Sequence, residues 1–130
     1  MTIEDIVHRA YTAWSSRDVD ALLEVVHPDS EARPILGANI GTSVYRGREG
    51  LHEWFHDLHQ EWETFETTVT RIDERGDRAV LTVQVHARGR ASGVVIDDAL
   101  YHHVEVRDGM IRRLEAFQDK GDAMAALEAT

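Results

Sequence analysis

A chain of 130 residues that is 42% apolar suits one domain, 1–130, with a single core, and the absence of cysteine excludes a disulfide framework, a thiolate nucleophile and any cysteine-built metal or redox centre. The formal charge of −10 argues against binding along a phosphate backbone, which needs a concentrated basic face, so nucleic acid is not an expected partner. No apolar run approaches the roughly 18 residues of a membrane span, and Glu4 and Asp5 do not suit a basic-then-apolar leader, so the chain is expected in the cytoplasm and off the membrane.

Taken in order, Ile3, Ile6, Val7, Ala10 and Trp14 fall on one helical stripe with Tyr11 at its margin, which predicts a first amphipathic helix over 3–16. Asp18 is a good N-cap for a second helix over 19–26, with Ala21, Leu22, Val25 and Val26 inward and His27-Pro28 as its stop. Residues 31–36 could form a short strand that Pro34 confines to an edge, and 37–43 read as a loop able to act as a lid. Gly47 opens a third helix running to residue 61 or 62, where Leu51, Phe55, Leu58 and Trp62 recur at helical spacing. The period then switches to two over 65–73, 78–90, 94–107 and 110–118, with short turns between, which predicts four strands in an antiparallel meander. Asp119 can cap a last helix over 122–128. Helices followed by a run of strands describe an α+β architecture: three N-terminal helices packed on a strongly curved, mostly antiparallel sheet, with a short C-terminal helix and a hollow between the layers.

The strand over 94–107 is the most informative. Its even positions read Val94, Ile96, Asp98, Leu100, His102, Val104 and Val106, so a carboxylate and an imidazole are expected on a mostly apolar, inward face. Burying either without a partner costs several kcal/mol, which points to a pocket. Four residues of extended chain put their backbones roughly 13 to 14 Å apart, so the two cannot form a dyad with each other and each needs a partner from another element, with Tyr11, Arg33, Arg112 and Gln118 available. His52, His56 and His59 share a stripe of the third helix, an arrangement with possible metal-ligand spacing that lacks the further ligands of a zinc site; no metal is expected there. Lys120 is the only lysine and lies near a helix start, which makes Schiff-base chemistry an unattractive reading.

Ala10-Tyr11-Thr12-Ala13-Trp14 followed by Arg17-Asp18-Val19-Asp20-Ala21-Leu22-Leu23, then His27-Pro28-Asp29, Tyr45-Arg46-Gly47-Arg48-Glu49-Gly50, Ser92-Gly93-Val94, Arg107-Asp108-Gly109 and the stretch 117–127 resemble, in order and spacing, the SnoaL-like branch of the nuclear transport factor 2-like superfamily. The resemblance implies a conical α+β barrel, a homodimer through the open sheet face, an apolar pocket for a small hydrophobic molecule and no cofactor. It also implies a range of activities, among them ketosteroid isomerases, polyketide cyclases and limonene epoxide hydrolases, so the site and not the fold must decide.

In isomerase-like members a catalytic carboxylate occupies the short strand after the second helix, and the resemblance places Arg33 there, a group that cannot accept a proton at neutral pH. Glu31 shares that strand face and could substitute, or form a rim ion pair. The resemblance also puts His102 near the second polar position of such a site and Tyr11 one residue from an oxyanion-stabilising tyrosine, while Asp98 with Arg33 or Arg112 is the nearest match to an epoxide-hydrolase arrangement. Asp98, His102, Tyr11 and Arg33 are therefore the candidate catalytic residues. Trp14, Trp54, Phe55, Leu58, Leu100, Leu114, Ala116 and Gln118 are the candidate pocket walls. Cofactor-free acid–base chemistry on a carbonyl- or hydroxyl-bearing ligand is one expectation; a non-catalytic binding or dimerisation module, its cone filled with side chains, is the other.

Overall fold

The protein's structure is a computed structural model that describes residues 2–34 and 44–129. The first helix, α1 (Ile3–Ser15), starts at a capping box in which the Thr2 hydroxyl accepts from the Asp5 N–H and the Asp5 carboxylate accepts from the Thr2 N–H. Its apolar stripe, Ile3, Ile6, Val7, Ala10 and Trp14, is buried as the spacing requires, and Tyr11 is buried with it. Arg17 adopts a left-handed φ of 58°, turning the chain so that Asp18 can cap α2 (Val19–Leu23) through the Ala21 N–H.

That second helix is shorter than its apolar run suggests, because Val26 opens a strand instead of closing a turn. This strand, β1 (Val26–Arg33), is interior: it pairs antiparallel with the two-residue β2 (Tyr45–Arg46) and parallel with β6 (Met110–Phe117). The expected edge strand over 31–36 is thus corrected in both extent and place. Pro28 survives inside β1 because the pairing with β6 is broken between Val26 and Glu31, where no N–H is called for; Pro34 lies just beyond the strand's end. The expected lid over 37–43 lies outside the described residues.

Helix α3 (Gly47–Glu61) leads into β3 (Trp62–Arg75), β4 (Arg78–Gly89), β5 (Val95–Arg107) and β6, which form the expected antiparallel meander; α4 (Lys120–Glu128) follows. The single sheet runs β2-β1-β6-β5-β4-β3 and curls round the helical layer. On β4 the alternation is nearly complete: Ala79, Leu81, Val83, Val85 and Ala87 are all at most 1% exposed and face the helices. The outer face is wetter except where α4 lies across it, packing Ala123 and Leu127 on Val80, Tyr101 and Phe117. Asp119 caps α4 through the Asp122 N–H, and the Arg78 guanidinium donates to the carbonyls of Ala126 and Ala129 at its far end.

Candidate functional site

Between the helices and the inner face of β1, β5 and β6 lies a cavity of about 80 Å³, room for several water molecules, since one water needs roughly 10 to 15 Å³. Its walls are chiefly apolar: Ala10 and Trp14 from α1, Leu22 from α2, Val26 from β1, Leu51 and Trp54 from α3, Ile111 and Leu114 from β6. Trp14 and Trp54 meet with ring centroids 4.5 Å apart, and Tyr45 stacks on Trp54 at 6.0 Å and 16°, so the three rings form one aromatic cluster in the wall.

Tyr11 and His102 are the polar exception. His102 sits in β5 opposite Leu81 and Ala116, so its ring rises from the middle of the inner sheet face. Tyr11 reaches it from α1, hydroxyl to Nδ1, at 2.5 Å across 91 residues of sequence. Burial drives both toward their uncharged forms: it depresses the imidazole from 6.5 to about 4 and lifts the phenol well above its ordinary value. At neutral pH the pair is uncharged and can exist in two arrangements. Either the Tyr11 hydroxyl donates to Nδ1 and the proton sits on Nε2, or Nδ1–H donates to the phenol oxygen and the Tyr11 O–H is left over. In both cases the pair offers the cavity one hydrogen-bond donor and keeps an acceptor beside it. Among the described residues Nε2 has no hydrogen-bond partner.

Two of the four candidate catalytic residues therefore come together, and two do not. Asp98 lies on the same sheet face as His102 but is exposed; its carboxylate accepts from the neighbouring Ala99 N–H and lines no part of the cavity. The strand alternates as read, but β6 pairs with β5 only from Tyr101 onward, so Asp98, like the 54%-exposed Val94 before the strand, projects beyond the covered part of the sheet. Arg33 is exposed at the end of β1, paired in register with Glu115, and is likewise not in the wall. Glu31 does reach the rim, where its Oε1 accepts from Arg46 at 2.6 Å.

Of the candidate walls, Trp14, Trp54 and Leu114 line the cavity. Leu58 is fully buried core, Leu100 is buried and Phe55 packs behind Trp14 at 5.5 Å, all outside the lining. Ala116 is half-buried without reaching the space, and Gln118 is exposed past the end of β6. Ile111 escaped the sequence reading because a bulge between Glu105 and Val106 shifts β6 by one, so that an odd-numbered residue joins the even-numbered Leu114 on the inner face. Ser30 was missed with the start of β1; Val26, expected inward on the second helix, joins the lining from β1 instead, and Ala32, inside the strand expected over 31–36, joins it as well.

The histidines outside the cavity do not assemble. His52 and His56 are exposed, whereas His59 turns inward, its Nδ1–H donating to the Phe55 carbonyl at 2.8 Å, and burial lowers its pKa. Among the described residues no group of three His, Asp or Glu side chains converges to hold a metal. His103 faces away from the cavity; it is 5% exposed, lies 3.5 Å from Glu115, and burial lowers its pKa as well. Among the described residues no helix is long and apolar enough to cross a membrane.

None of the curated proteins compared matches the chain. Solved structures do. A provisionally assigned polyketide cyclase from Sinorhizobium meliloti is 25% identical over 87% of this chain and 94% of its own, with a TM-score of 0.70. TerC, crystallised with polyporic acid, is 21% identical over 97% and 98% with a TM-score of 0.77. A Catenulispora acidiphila protein of ketosteroid isomerase-like fold is 18% identical over 95% and 92%, also at 0.77. The SnoaL-like domain model matches residues 7–114, which take in most of α1, both halves of the Tyr11–His102 pair and the walls of the cavity, and the chain accordingly belongs to the SnoaL-like family.

Proposed function

We propose that this protein binds a small, hydrophobic, ring-containing molecule by its carbonyl or hydroxyl oxygen, and that the Tyr11–His102 pair polarises that oxygen in a cofactor-free reaction of the isomerase or cyclase type. The observation that carries the reading is the hydrogen bond between two uncharged polar side chains in a cavity whose other walls are chiefly apolar. A low-dielectric surround strengthens a donor aimed at a carbonyl as negative charge builds on its oxygen, and a neutral imidazole supplies that donor without bringing a charge into the pocket. With a pKa of about 4, His102 is a weak base at neutral pH, so its role is donation and not proton abstraction. The cyclase assignment of the Sinorhizobium relative supports chemistry at a ring-forming carbonyl.

A binding module without turnover is the second reading, favoured by one observation: the one carboxylate at the rim, Glu31, is tied through Oε1 to the Arg46 guanidinium and does not contact the Tyr11–His102 pair. The proposal includes a homodimer built on the part of the outer sheet face that α4 leaves open, and a cytoplasmic location. The test is titration of acetophenone and larger ring ketones, read by quenching of Trp14 and Trp54 fluorescence, on the parent, Tyr11→Phe and His102→Ala. Binding weakened about tenfold in each variant, one lost hydrogen bond in a dry site, supports the reading; ketones bound equally by all three overturn it. Light scattering on a sizing column checks the dimer, and cell fractionation the location.

A further inference from the structure

Resting on that reading of the cavity, we propose that its ligand carries a protonated amine, held at the mouth by Glu31 and the face of the Tyr45–Trp54 stack while its oxygen meets the Tyr11–His102 pair. Among the described residues the lining contains no lysine or arginine, and its one charged side chain is the Glu31 carboxylate. Arg46 engages only Oε1; Oε2 accepts no hydrogen bond among the described residues, and the Arg46 side chain itself stays outside the lining with 65% of its surface in water. Arg46 therefore orients the carboxylate without closing the mouth.

Beside it stand Tyr45 and Trp54, stacked and both in the wall. The negative faces of such rings attract an ammonium within about 6 Å, more strongly when water is displaced. The Tyr45 hydroxyl donates to the Asp57 carboxylate at 3.0 Å, and Glu53 also bears on it, so the stack is backed by negative charge. At −10 overall, the molecule's field draws cations toward the mouth and repels carboxylates. An anionic ligand would leave its charge facing Glu31 with no cation in the wall.

The test compares single-ring probes of similar shape and different charge, benzylamine, benzyl alcohol and benzoate at pH 7, with acetophenone as the neutral ketone. Benzylamine should bind at least about tenfold more tightly than benzoate, one well-placed ion contact, and Glu31→Gln should erase that ratio while the melting transition shows the variant still folded. Acetophenone bound with benzoate equal to or better than benzylamine overturns the amine assignment and leaves the ketone reading standing. No binding by any of the four overturns both. A benzylamine preference that survives Glu31→Gln overturns the role given to Glu31.

Discussion

The buried, uncharged state of His102 makes acid stability the most exacting test of the site. Its imidazole takes a proton near 6.5 in the unfolded chain and at about 4 when folded, so between those values the unfolded state binds more protons. The sign follows: the contribution is complete above pH 6.5 and is lost as the pH falls toward 4. At 1.36 kcal/mol per pKa unit the loss is about 3 kcal/mol. An unfolding entropy of about 2.1 cal/mol/K per residue, over this chain, converts that to a fall in Tm of roughly 11 °C. His59 and His103, whose pKa values are also lowered by burial, act in the same direction, whereas Asp73, held below the usual carboxylate range chiefly by its hydrogen bond from Arg71, acts only at lower pH. The assay is therefore a difference: Tm by calorimetry at pH 7 and pH 4 for the parent and for His102→Asn. The variant starts lower but should lose about 11 °C less over that interval. Equal losses in the two proteins would refute the account of His102 as a buried neutral base held by Tyr11.

Other outcomes follow from the same geometry. Tyr11→Phe strands Nδ1 in the cavity and should cost about 1 to 3 kcal/mol, a Tm lower by roughly 4 to 11 °C, and if the protein is an enzyme kcat should fall by about a hundredfold. Asp98→Ala should leave ring-ketone affinity within about twofold, because a group outside the wall contributes less than about 0.4 kcal/mol to binding. Arg78→Met removes two bonds to the end of α4 and should cost about 1 to 2 kcal/mol, read as faster amide exchange confined to that helix. Leu81→Ala, emptying a fully buried position next to His102, should cost about 2 to 5 kcal/mol in chemical denaturation.

What the sequence discloses here are the features set by neighbours in the chain. The caps at Asp18 and Asp119, the stripe of α1 and the alternation along β4 depend on spacings of three, four or two, and each appears where the spacing puts it. Three features depend on distant residues, and there local reading fails. The burial of Asp98 could not be judged from its strand, since it turns on where β6 stops. Val25 and Val26 look helical beside Leu22, yet Val26 is drawn into the sheet by Ile111. The inward placement of Ile111 turns on a bulge that no periodicity announces. The site divides in the same way: His102 was legible because its strand alternates, whereas the directness of its contact with Tyr11 depends on how far α1 sinks into the cone.

The parallel joint between Val26 and Ile111 also governs when the molecule can become complete. The two partners stand about 85 positions apart, and closing so long a segment is a slow, late event compared with zipping up the neighbouring hairpins. On the ribosome, α1, α2 and β1 must wait until β6 has emerged, with Trp14, Leu22 and Val26 uncovered in the meantime. Nascent chains of this protein are thus expected to lean on chaperones until β6 is free to pair with β1, and the ligand chamber closes no earlier than that pairing.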